Sequence, residues 1–113
     1  MDKTLVTRST GMLLLKLIEN EDMYGYQMIE TLRSRSEHAF DLKAGTLYPL
    51  LHSLEEKELI RSYEKDEGAA RPRRYYHLER KGQHLLREKE VEWATFTTAV
   101  DRVLKGGVCL GSA

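Results

Sequence analysis

Cysteine is almost missing from this chain. Cys109 is the only one among 113 residues, which excludes an intramolecular disulfide and fits a reducing compartment. Long apolar runs are missing too: no stretch approaches the roughly 18 to 20 residues that cross a bilayer. The N-terminus carries no signal-peptide pattern, so the expected location is the cytoplasm, without membrane contact. Net charge is absent as well, since 18 Lys and Arg balance 18 Asp and Glu, and the charge of the whole chain favours neither nucleic acid nor lipid. Catalytic patterns are not found. His38, His52, His77 and His84 have no metal-ligand spacing with one another, and Cys109 has no histidine near it in sequence to activate it. The glycine-rich end GGVCLG lacks the Lys-Ser or Lys-Thr of a phosphate-binding loop. The expectation is therefore a protein with no catalytic residues, no metal and no cofactor.

What remains is the composition of a chain that folds: 41% hydrophobic and 32% charged, at a length that suits one domain with a modest core plus a helical extension. Residues 1–8 are either a frayed end or the start of a first helix. The run STGMLLLKLIEN, residues 9–20, is helical and apolar beyond one face: Leu14, Leu17 and Ile18 form one side, and Met12 and Leu13 widen it. A small domain covers one side of such a helix with its own core, which leaves the other for a second subunit. A second helix is predicted over 23–35 from Met28, Ile29 and Leu32, with Asp22 as N-cap. Tyr24, Gly25 and Tyr26 then sit in its first turn, where free N–H groups could receive a phosphate or the tyrosines could pack at the core edge. Phe40 and Leu42 pin the connector that follows.

DLKAGTLYPLLHSLEEKEL, residues 41–59, places Leu47, Leu50, Leu51 and Leu54 at i, i+3, i+4 and i+7 and turns Thr46, Tyr48, His52 and Ser53 outward. Two starts are open for this third helix. With Thr46 as N-cap, Pro49 takes the third helical position, whose N–H is unpaired anyway; with a start near Lys43, a bend at Pro49 is expected. Strands are predicted over 59–65 and 73–78, joined by DEGAARP, a turn too long for a two-residue hairpin. Alternation puts Arg74 and Tyr76 on one face of the second strand and Arg73, Tyr75 and His77 on the other, so one tyrosine should be core and the other exposed. A long helix follows from Arg80 to about Lys105, stopped by Gly106 and Gly107. Leu86, Trp93, Phe96, Val100 and Val103 fall on heptad a and d positions, a dimerisation stripe that Lys89 interrupts.

Three helices followed by a hairpin with a basic second strand is the element order of a winged helix-turn-helix, a mostly α (α+β) fold. The expected organisation is a DNA-binding domain over 1–78, a C-terminal dimerisation helix over 79–105 and a flexible tail over 106–113. Charge supports the reading locally. Arg71, Arg73, Arg74, Arg80 and Lys81 face a single acid, Glu79, between residues 71 and 81, whereas Glu55 to Glu67 is acidic. Lys43, Thr46, Tyr48 and His52 are the candidate DNA contacts of the third helix; Arg71, Arg73 and Arg74 are those of the wing, and Tyr24 a further one. A winged-helix module for protein contact, without DNA, and a drug-binding protein acting without DNA are the competing readings.

The segments YGYQMIETL, DLKAGTLYPLLHSLEEKELI and RPRRYYHLERKG, in that order and spacing, resemble the PadR family of bacterial transcriptional regulators, and the resemblance runs from about Met12 to about Leu104. It implies a homodimeric repressor that binds a palindromic double-stranded operator and is released by a small molecule. The single C-terminal helix looks like the smaller branch of the family, in which that helix packs with the partner's first helix. Some members of this branch hold flat apolar compounds at the dimer interface beside a tryptophan. Trp93 within EVEWATF matches that position, with Phe96 and Met12 as further candidate effector contacts. The sequence departs from the family pattern at Glu79, where a small hydroxyl residue is usual, and at Lys43, where Ser or Thr often precedes the GTLYP run.

Overall fold

The computed structural model describes residues 3–68 and 71–106, the side chains of residues 3–8 excepted. Helix α1 (Lys3–Leu17) is followed by a two-residue strand β1 (Met23–Tyr24), helices α2 (Gly25–Arg35) and α3 (Ala44–Glu56), strands β2 (Ile60–Lys65) and β3 (Arg73–Leu78), and helix α4 (Arg80–Leu104). The strands form one antiparallel sheet in the order β1-β3-β2. This is a mostly helical winged helix-turn-helix with a small three-stranded wing and a long last helix. The expected tail lies outside the described residues except for Gly106, as does Cys109.

Apolar spacing explains the helices. Leu14, Leu15, Leu17 and Ile18 of the α1 segment, Met28 and Leu32 of α2, and Leu47 and Leu51 of α3 are all buried in one cluster, with Met12, Leu13, Leu50 and Leu54 packed at its edge. Phe40 and Leu42 hold the α2–α3 connector to the same cluster. That connector turns sharply, because Glu37 and His38 both take positive φ (52° and 71°) although neither is glycine. Ser36 fixes it: its Oγ accepts the Phe40 N–H at 3.0 Å.

One helix start differs from the sequence expectation, and for α3 the start near Lys43 is the one of the two open alternatives that is observed. Asp22 does not cap α2. The N-cap is Tyr24, which makes no side-chain capping bond, and the Asp22 carboxylate is used across the molecule instead, accepting from the Tyr63 hydroxyl at 2.6 Å and meeting His77 Nδ1 at 2.8 Å. Helix α3 begins after Lys43, whose carbonyl accepts from Thr46 and Leu47, so Thr46 is not its N-cap and Pro49 stands at the sixth helical position. The acceptor that Pro49 leaves without its helical donor is the carbonyl of Gly45, on the exposed side of the first turn.

Helix α4 starts against the wing. The Leu59 carbonyl accepts the Glu79 N–H at 3.0 Å, and Gly82 lies against the same carbonyl and the Leu78 side chain, an approach that only a residue without Cβ allows. Leu86 is 0% exposed and belongs to the core of its own chain, contrary to its assignment to a dimerisation stripe. Beyond Glu90, which pairs with Lys16 of α1 at 2.9 Å, the helix leaves the body. At 25 residues α4 is about 37 Å long, and the chain measures 62 × 28 × 22 Å with a radius of gyration of 17.0 Å. A compact chain of this length would have about 13 Å. The excess is the projecting arm.

Candidate nucleic-acid interface

Burial of Leu47 and Leu51 fixes which side of α3 faces outward. Lys43, Gly45, Thr46, Tyr48, Pro49 and His52 are exposed along it, and Gly45 has open space around its α-carbon. Four of these six are the residues expected from sequence; Gly45 and Pro49 stand on the same face, where the helical spacing that turns Thr46 and His52 outward also places them. His52 Nε2 lies 3.5 Å from Glu56, one turn on. Tyr48 differs from its neighbours. It is 47% exposed, and its ring rests on Gly25 at the start of α2, so one edge is available to a ligand and the other sets the α2–α3 packing.

The wing has two chemically distinct faces. On the face toward α3, Glu55 accepts from the Ser62 hydroxyl at 2.7 Å and its backbone N–H at 3.2 Å, and Ser62 Oγ in turn accepts from Arg74 at 3.2 Å. This chain of bonds ties the wing to the C-terminal turn of α3 and sets Arg74 between them. On the opposite face Tyr24, Tyr75 and Tyr63 stand side by side across the three strands, in register, with ring centroids 5.4 Å and 5.9 Å apart. Cations cover the rings: Arg73 sits 4.5 Å over Tyr24, Lys65 5.3 Å from Tyr75 and Arg61 5.8 Å from Tyr63.

Both wing tyrosines are thus buried, Tyr76 in the core and Tyr75 under its aromatic neighbours, which corrects the expectation that one would be exposed. Tyr24 is likewise part of the sheet and not of the first turn of α2; its strand of two residues was not anticipated. Burial raises the Tyr76 hydroxyl above its ordinary pKa, and the bond to Asp22 raises that of Tyr63.

Arg71, Arg73 and Arg74 are all exposed. The hairpin supplies acids to two of them: Arg73 lies 3.3 Å from Glu67, and Arg74 lies 3.9 Å from Glu64. Lys65, Glu67 and Arg61 were not singled out from sequence. The signal for the two cations is the alternation Arg61-Tyr63-Lys65, which mirrors Arg73-Tyr75-His77 on the paired strand; Glu67 lies beyond the strand and has no such pattern.

Trp93 and Phe96 lie side by side on α4 with centroids 6.0 Å apart, both exposed, as is Val103, with Val100 partly covered. Met12 lies on α1 at the edge of the core. No helix among the described residues is long and apolar enough to cross a membrane.

Comparison with known proteins agrees with this geometry. A crystal structure of a PadR family transcriptional regulator from Eggerthella lenta is similar at TM-score 0.76 and 33% identity, over 89% of this chain and 86% of that one. One from Clostridium difficile is similar at TM-score 0.74 and 32% identity, over 85% and 98%. An uncharacterized protein of Lysinibacillus sphaericus is 33% identical over 83% of this chain and 86% of its own. The model of the transcriptional regulator PadR-like family matches residues 14–88, which run from the α1 core leucines through the wing into α4. The chain belongs to the PadR-like family of transcriptional regulators and not to a family of enzymes.

Proposed function

We propose that the chain is a cytoplasmic, homodimeric, sequence-specific DNA-binding repressor. Helix α3 enters the major groove with Thr46, Tyr48 and His52 toward base edges and Lys43 toward the backbone, while Arg71, Arg73 and Arg74 of the wing hold adjacent phosphates. The observation that carries the reading is the Glu55–Ser62–Arg74 chain, which joins the C-terminal turn of α3 to an arginine-bearing wing. A helix and a cationic hairpin locked together in this way suit a single duplex.

Dimerisation is supported by the arm. Trp93, Phe96 and Val103 lie exposed on one stripe of α4, a cost that a second subunit would relieve. An apolar groove between α1 and α2, lined by Leu13, Leu17, Leu32 and Phe40 with Lys16 and Arg35 at its rim, is a seat of matching character. A planar apolar effector bound beside Trp93 and Phe96, with Met12 as a further contact, would change the angle between arms and so the spacing of the two α3 helices on a palindromic operator.

The test is a titration of the purified protein on the promoter of its own gene and on an unrelated duplex, at two stated salt concentrations. Tighter, salt-sensitive binding to the promoter is the expected result. No salt-sensitive binding to either duplex would favour a winged-helix module for protein contact.

A further inference from the structure

Three donors at the tip of the wing converge on one carboxylate. Glu67 accepts from the Tyr75 hydroxyl at 2.7 Å and from Arg73 at 3.3 Å, and Lys65 Nζ stands 3.7 Å away. Lys65 and Arg73 are direct cross-strand partners, and Tyr75 is two residues further along the same face. Two cations and a hydroxyl at this spacing form a receptor for an oxyanion. Glu67 is held there by the backbone: it lies in a turn in which the Gly68 N–H donates to Asp66 at 3.0 Å and Gly68 takes a φ of 81°. Its carboxyl is kept below the ordinary range, chiefly by the Tyr75 bond.

We infer that Lys65, Arg73 and the Tyr75 hydroxyl form a binding site for a backbone phosphate of DNA, and that Glu67 occupies this site in the free protein as an internal competitor. The inference rests on the DNA-binding reading above. The opposite wing face has a lesser form of the same arrangement, since Glu64 is 3.9 Å from Arg74 and both side chains are more than half exposed. That makes Glu64 a matched control: the same charge, on the same hairpin, without the convergent donors.

In the intact protein, Glu67→Gln removes the competing charge and keeps an acceptor for Tyr75. Compared with the parent, this variant binds both promoter and unrelated DNA tighter by roughly threefold, the scale of one exposed ion pair. Its dependence of log affinity on log salt keeps the slope of the parent, because the same phosphate is held in both complexes once Glu67 has left the site. Glu64→Gln gives a smaller gain, and in an Arg73→Ala background the gain from Glu67→Gln disappears. Equal gains from both glutamine variants would reduce the effect to overall charge and overturn the inference, as would unchanged or weaker binding by Glu67→Gln. If the parent binds DNA and Glu67→Gln does not differ from it, only this inference fails. If neither binds any duplex, the DNA-binding reading fails with it.

Discussion

The ring of Tyr48 fills the space that a side chain on Gly25 would need: a Cβ there would stand 2.7 Å from the ζ carbon of Tyr48 and closer still to its hydroxyl. The first residue of α2 and the second turn of the proposed reading helix are therefore in direct contact, and the identity of one limits the other. Gly25→Ala should lower stability by about 1–3 kcal/mol, the usual scale of overpacking. Denaturant titration of Gly25→Ala in a Tyr48→Ala background should show most of that cost removed, because the obstructing group is a side chain that can be deleted.

Gly82→Ala should behave otherwise. The nearest obstacle is the backbone carbonyl of Leu59, which also accepts the Glu79 N–H. No side-chain deletion relieves it, and the entry of α4 has to shift. Thermal unfolding should show Gly82→Ala to be destabilised more than Gly25→Ala, with no rescue by Leu78→Ala.

Asp22 joins the wing to the segment before β1. Burial by itself would raise its pKa, but the hydrogen bonds from Tyr63 and His77, with the charges of His77 and Arg61, bring it below the ordinary 3.8. A depressed carboxyl stabilises the fold above its unfolded pKa, and the contribution is lost as pH falls through the folded value. Stability of the parent should therefore drop below about pH 4, and Asp22→Asn should show a flatter acid limb in the same range. An acid limb that is unchanged in Asp22→Asn would show that other carboxyls account for it.

Removal of a phosphate contact and removal of a base contact should leave different signatures. Arg74→Ala is expected to weaken promoter and unrelated DNA alike and to reduce the salt slope by about one unit. Thr46→Ala should cost about 1–3 kcal/mol on the promoter and little elsewhere. Both side chains are exposed, and Arg74 gives up one exposed bond to Ser62 while the Glu55–Ser62 bonds remain, so the stabilities of the variants should stay within about 1 kcal/mol of the parent. Anisotropy titrations over a salt series separate the two.

Phe96 is 54% exposed, and nothing in the body of its own subunit depends on it. If α4 carries the proposed dimer contact, the parent should sediment as a dimer and Phe96→Asp as a monomer, with circular dichroism retained. In the parent, a planar apolar dye should quench the fluorescence of Trp93, the only tryptophan, and lower promoter affinity in parallel.

The legibility of this fold in its sequence followed the strength of local pattern. The leucine spacing of α3 allowed one buried face, and Leu47 and Leu51 are buried as it required. The α4 stripe misplaced Leu86 because a heptad describes both contact with a subunit's own core and contact with a partner; where α4 leaves α1 decides between them, and that point depends on tertiary packing. Strand β1 had no pattern to read, since two residues show no alternation and Met23 and Tyr24 are defined as a strand only by pairing with Tyr76 and Tyr75. Charge along the chain makes the wing basic between residues 71 and 81. Antiparallel register sets Glu64 opposite Arg74, and the turn after β2 returns Glu67 to Arg73, so acids distant in sequence lie beside the arginines in space.

Whether α3 lies in the major groove can be read from a hydroxyl-radical footprint of the protein on its promoter combined with guanine-methylation interference. Two protected patches related by a palindrome are expected, their centres about one helical turn or roughly 34 Å apart, with interference in the major groove and its loss at the matching positions in Thr46→Ala. A single patch, or protection without major-groove interference, would contradict the placement of α3 as the reading element.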